Sequence, residues 1–262
     1  ANLTNSTISS NSTSDDGGGI FATFSKVNLT DSTVSGNSAD LGGGILAQAS
    51  AELNLVNSTL SGNTANFGGG VDVQLSASSS LNNSTISANS ANFGGGVYIK
   101  SSGQITFNNR IVAGNTSHRG ADINANSSST LTTDRNNLFG HAGLTLSEAF
   151  EGAVDFGPTD IVATSDAPGI GAHVPTALSS ILQSLTHNGG TTKTHALAAA
   201  SPARDAAKLT DPNGCPTTDQ RGQLRDDGDG FCDIGAIEFN SNDGTTYFVI
   251  PLSNNGAVVI PN

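Results

Sequence analysis

Four copies of a hydroxyl pair recur every 26 residues, as Thr7 and Ser9, Thr33 and Ser35, Thr59 and Ser61, Thr85 and Ser87, each flanking one apolar residue (Ile8, Val34, Leu60, Ile86). If the apolar residue points inward on a strand, alternation turns both hydroxyls outward on one flat face. Stacked strand on strand, they form a Thr-x-Ser array with rungs about 4.8 Å apart and hydroxyls about 7 Å apart along the strand. Such a lattice suits ordered water, which would make the face ice-binding, or a polysaccharide laid along it. These eight residues are the candidate flat binding face.

Groups for breaking bonds are sparse. A polysaccharide lyase or hydrolase needs a carboxylate pair, or a calcium-bound carboxylate cluster with a Lys or Arg base, on one face. The first five repeats offer Asp72 beside Lys100, then Arg110, His118, Arg119 and Asp122, and no two carboxylates share a column in adjacent repeats. No catalytic residue is assigned, and a polysaccharide-active enzyme is the alternative to a structural or adhesive protein. Asp226-Asp227-Gly228-Asp229-Gly230 matches half of a calcium loop, with oxygens on alternate residues and glycines for the turn, and lacks the distal Glu. Asp226, Asp227 and Asp229 are therefore calcium candidates whose first reading is a solvated acidic turn; no other cofactor is expected. His187 and His195 flank Gly189-Gly190 without Cys or His partners at zinc spacing, which points to hydrogen bonding within a cap. The many Asn-x-Ser/Thr triplets follow from the repeat itself.

The elements that must position these residues are set by the same period. Asn57-Ser58-Thr59-Leu60-Ser61-Gly62-Asn63 leads to Phe67-Gly68-Gly69-Gly70-Val71, and the phrase returns at Asn83 to Val97 and at Asp31 to Ile45. A fixed interval of this size means a repeat architecture. Three apolar columns emerge: Leu3, Leu29, Leu55, Leu81 and Phe107; Ile8, Val34, Leu60, Ile86 and Val112; Ile20, Ile45, Val71, Val97 and Ile123. Each lies in a short alternating stretch, so three strands per 26 residues make one coil of an all-β parallel β-helix. A leucine-rich repeat would need a helix in its second half, where three consecutive glycines each cost roughly 1 kcal/mol. A calcium-binding nonapeptide roll would need a recurring Asp after the glycines. Asn11, Asn37, Asn63, Asn89 and Asn115 form a further column, expected as a structural amide ladder.

Regular coils are expected over residues 1–140. Degenerate coils and a disulfide-bearing cap follow over 141–240, with one short helix over 177–185. A hairpin closes 241–262, with strands at Tyr247-Phe248-Val249-Ile250 and Ala257-Val258-Val259-Ile260 around Asn254-Asn255-Gly256. A solenoid end must be covered.

Net charge is −12 with only 12% charged residues, which opposes binding to nucleic acid or anionic lipid. No apolar run is long enough to span a bilayer. Residue 1 falls inside a repeat, which reads as a mature or trimmed chain whose export signal has gone. Cys215 and Cys232 are the only cysteines, an even count that suggests one disulfide in an exported chain, worth about 3 kcal/mol in the chain-entropy model. The open strands of the first coil and the terminal hairpin also suggest head-to-tail self-assembly into fibres.

Four ordered phrases then carry a resemblance: Leu185 to Leu197 (LTHNGGTTKTHAL), Ser201-Pro202-Ala203-Arg204-Asp205, Asp219-Gln220-Arg221-Gly222, and Cys232-Asp233-Ile234-Gly235-Ala236-Ile237-Glu238. Together with the repeats they resemble bacterial choice-of-anchor Q domain proteins. The resemblance implies a right-handed parallel β-helix on an exported bacterial protein, extracellular or at the cell surface, next to an anchoring segment. It implies no catalytic residue. Glycans or another cell-surface ligand, or the chain itself, are the expected partners.

Overall fold

The computed structural model describes residues 1–262 except 153, 167, 168, 170, 212, 213, 226, 227, 240–246, 252–256 and 262; for Asp134 and the strands Tyr247–Pro251 and Ala257–Pro261 it describes the backbone alone. The chain winds as a parallel β-solenoid. One sheet stacks Asn2–Thr4, Lys26–Thr30, Glu52–Val56, Ser78–Asn82, Gln104–Asn108 and Thr130–Arg135. A second begins with Thr7–Ser9, Thr33–Ser35, Thr59–Ser61 and Thr85–Ser87, and a third with Ile20–Thr23, Ile45–Gln48 and Val71–Val73. The register is that of the apolar columns: Leu29 pairs with Leu55, Val34 with Leu60 and Val71 with Val97. All six of these side chains are 0% exposed and share one continuous core.

A fourth strand per coil goes beyond the three expected. Thr64–Phe67, Ser90–Phe93 and Thr116–Arg119 form a small parallel sheet, with Ala65 and Ala91 turned inward. The Ala-Asn-Phe stretch is short but alternates, and hydrogen bonds from adjacent coils complete it. The glycines after it are required twice over. Gly68 has a positive φ of 65°, and a Cβ on Gly70 would lie 2.5 Å from the Gly96 carbonyl oxygen of the next coil.

Inside the core the asparagine column forms a directional ladder. The backbone N–H and the Nδ2 of Asn37 both donate to Asn63 Oδ1 at 3.0 Å, and Asn63 and Asn89 repeat the pattern toward Asn89 and Asn115. Each Nδ2 also donates to a carbonyl of the preceding coil, as Asn63 does to Val34. The ladder ends on Asp122, whose Oδ1 accepts from the N–H and Nδ2 of Asn115. A second polar column runs through Ser32, Ser58 and Ser84, and in the later coils Arg110 donates to Asn137, which donates twice to Asp160.

Beyond the regular coils the second sheet continues through Ile111–Val112, Leu138–Phe139, Ile161–Val162 and Ala172–His173. The helix Leu146–Ala149, held by a capping box between Thr145 and Glu148, precedes Phe150, and Phe139, Phe150 and Phe156 pack edge to face over the end of the core. The helix expected over 177–185 is absent. A single 3₁₀ turn at Leu178–Ser180 leads into the strand Leu182–Thr186, which pairs antiparallel with Thr194–Leu197. Ile181, Leu182 and Leu197 join a second apolar cluster with Ile111, Ala113 and Leu138. Burial against the solenoid thus overrides the local helical pattern. Cys215 and Cys232 are disulfide-bonded, with Cα atoms 6.6 Å apart. The terminal strands pair antiparallel; their expected Asn254-Asn255-Gly256 turn lies outside the described residues.

Candidate functional site

The Thr-x-Ser pairs point out of the coil, but the middle of the array is covered. Thr7 and Ser9 are exposed and Ser35 is half-buried, whereas Thr33, Thr59, Ser61, Thr85 and Ser87 are buried. The expected flat face across four coils is corrected to its first rungs. What covers the rest is the chain's own C-terminal segment.

Its contacts are polar and specific. Thr33 Oγ1 donates to the Lys193 carbonyl at 2.6 Å. Gln220 bridges two coils: Thr59 Oγ1 donates to its Oε1 at 2.7 Å, while its Nε2 donates to Thr33 Oγ1 at 2.8 Å and Thr192 Oγ1 at 2.9 Å. Ser61 Oγ lies 2.9 Å from His195 Nε2, and His195 Nδ1 lies 2.7 Å from the Gln183 carbonyl. A carbonyl only accepts, so Nδ1 carries the proton, and burial lowers the imidazole pKa toward the neutral form. Nε2 then accepts the Ser61 proton. One coil further, the Ala236 N–H donates to Thr85 Oγ1.

Buried charges hold the segment in shape. Arg225 is 0% exposed and donates to Asn57 Oδ1 of the solenoid, to the Gly235 carbonyl and to Glu238 Oε2. Arg221 pairs with Asp219 at 2.8 Å. Asp205, Asp233 and Glu238 bring one carboxylate oxygen each to within 4.8 Å of one another. Burial pushes the Glu238 carboxyl up to about 8 and that of Asp233 to about 6. These oxygens already accept the Asp205, Asp233 and Phe239 N–H groups, with Arg225 alongside. This three-carboxylate group was not among the sequence candidates, because its members are split between two phrases 28 or more residues apart. Asp226 and Asp227 lie outside the described residues, and Asp229 Oδ1 accepts from the Phe231 N–H.

The candidate catalytic groups form no cluster, although the Lys100 ammonium is near enough to Asp72 to oppose part of the effect of its burial. Asp72 is 0% exposed, neither oxygen has a hydrogen-bond partner, and burial raises its pKa to about 8. Lys100 lies over the Phe67 and Tyr98 rings, and Arg119 pairs with Glu151 at 3.0 Å. Arg110 is buried over Phe107, Asp122 ends the interior ladder, and His118 is exposed on the small sheet.

A polar column also stands at the surface, exposed to half-buried along its length. On the outer side of the first sheet, Asn2, Asn28, Asn54, Ser80, Thr106 and Thr132 stand in register over six strands. Asn54 Nδ2 donates to Asn28 Oδ1 at 2.9 Å, and Asn28 Nδ2 to Asn2 Oδ1 at 2.6 Å. Beside them runs a second column, Lys26, Glu52, Ser78, Gln104 and Thr130, all exposed. Among the described residues, no side chain of either column hydrogen-bonds to the C-terminal segment.

Coils, ladders and docked segment together define a parallel β-solenoid whose own chain seals part of one face. The family model described as right-handed β-helix region matches residues 1–152, and the chain belongs to that family. No curated protein and no solved structure matches it. Among the described residues, no helix is long and apolar enough to cross a membrane.

Proposed function

We propose that this chain is a structural and adhesive module of an exported bacterial surface protein, of the choice-of-anchor Q kind, that binds uncharged polysaccharide along the first sheet. The observation that carries this reading is the outward amide and hydroxyl column from Asn2 to Thr132, exposed at its two ends, half-buried between them and held in register over six strands. A sugar polymer needs donors and acceptors at a regular step, and stacked strands supply one about every 4.8 Å. The disulfide fits an oxidising compartment outside the cytoplasm.

The test is retention on insoluble neutral glycans, with chitin, cellulose and mannan compared. Replacing Ser80 and Thr106 together by Lys interrupts the column at two adjacent strands, away from the core, and is expected to lower retention about tenfold or more, the loss of one to two good hydrogen bonds. Retention unchanged in that variant, or no retention of the wild type on any neutral glycan, overturns the reading.

A further inference from the structure

Where the docked segment ends, the first rungs of the Thr-x-Ser face stay open and form the floor of a cleft of about 480 Å³. Leu185, His187 and Lys193 make its wall. Gly36 and Gly62 follow Ser35 and Ser61 at the ends of their rungs and put no side chain into the cleft; a Cβ on either would meet nothing closer than 3.9 Å.

Its inner end is preorganised. Ser61 commits its proton to His195 Nε2, and His195 is itself fixed by the Gln183 carbonyl. The Ser61 oxygen therefore keeps lone pairs for another donor. At the outer end Thr7 and Ser9 are exposed and Ser35 is half-buried, so the hydroxyls run from buried to open along one line.

The charge in the cleft is opposite to that of the molecule. The chain has 22 acidic and 10 basic side chains, yet the lining contains Lys193 and His187 and no carboxylate. Lys193 is exposed and makes no ion pair among the described residues. At physiological ionic strength charges beyond about 8 Å are largely screened, so the local cation decides what is attracted. Hydroxyl rungs, an open cleft and an ammonium without an ion-pair partner among the described residues suit a ligand that carries both hydroxyls and carboxylates.

We infer that this cleft binds an acidic sugar chain, with Lys193 and His187 taking a carboxylate and Ser9, Ser35 and Ser61 the ring hydroxyls. This site goes beyond the neutral-glycan face, shares no residue with it, and fails or stands separately.

Titration calorimetry on the full chain decides it, with a short oligogalacturonate, the matching neutral galacto-oligosaccharide and inorganic phosphate as the three probes. The oligogalacturonate is expected to bind about tenfold more tightly than its neutral counterpart, as one charge-assisted hydrogen bond warrants. Lys193→Gln should abolish that preference, and Ser9→Trp, at an exposed position, should block binding of both sugars. The Ser80 and Thr106 double variant should bind the acidic oligosaccharide as the wild type does. Equal binding of acidic and neutral sugars, wild-type affinity in both Lys193→Gln and Ser9→Trp, or phosphate binding as tightly as the oligogalacturonate overturns the inference.

Discussion

Replacing Asp72 with Leu should stabilise the protein, by an amount that grows with pH. Asp72 pairs in register with Leu46 of the preceding coil, and both are 0% exposed. Leu46 shows that the outer side of the third sheet already buries a leucine at this position of the coil. Asp72 instead buries a carboxyl with no hydrogen-bond partner on either oxygen, and its pKa rises from 3.8 to about 8. Between those values the folded chain holds a proton that the unfolded chain releases. Stability from this group is therefore full below about pH 4 and is lost as pH rises toward 8. The slope is about 1.4 kcal/mol per pH unit, which reaches about 4 kcal/mol at pH 7. Guanidinium denaturation followed by circular dichroism, for wild type and Asp72→Leu at several pH values from 4 to 8, reads the gap directly. A gap that widens with pH is the expected result. A gap that does not change with pH, or a variant less stable throughout, refutes the reasoning.

Gln220→Ala strips the bridge between coils and leaves the Thr33 and Thr59 hydroxyls buried with fewer partners, at an expected cost of about 3 kcal/mol. Limited proteolysis should then cut the segment from 177 to 239 faster while the coils stay resistant. Asn63→Ala removes the acceptor for two Asn37 donors in mid-ladder and is expected to lower stability by about 3 kcal/mol, read as a shift in denaturation midpoint. Asn11→Ala at the exposed end of the same ladder should cost less than about 1 kcal/mol, since water replaces the lost partner.

The solenoid was legible because its signal is local and repeated. Leu29, Leu55 and Leu81 occupy the same place in successive phrases, and each adjacent pair sits side by side in one sheet. The column from Asn11 to Asn115 could be read the same way. Its terminator could not, since Asp122 lies seven residues after Asn115 and reaches the ladder by a turn rather than by the period. The covered face was illegible for a different reason. Alternation states which way Thr59 points from its own strand, and says nothing about a glutamine 161 residues away that will lie on it. Asp72 shows the same gap, for an outward polar side chain on a strand reads as solvated until another surface closes over it. The hydroxyl array was a docking signal as much as a binding signal, and sequence alone does not separate the two.

The docked segment also has a consequence for the length of the molecule. A ladder in which every asparagine addresses only the coils directly before and after it would accept an inserted or deleted repeat with little change at either end. The segment does not share that tolerance. Gln220 spans the rungs of Thr33 and Thr59, Arg225 reaches Asn57, and the Ala236 N–H meets Thr85, at fixed separations along the solenoid axis. An extra repeat placed between Thr59 and Thr85 would set those anchors one step out of register. The C-terminal segment thus works as a ruler laid along the coils: it holds constant the number of turns between its anchors, whatever the repeats themselves would permit.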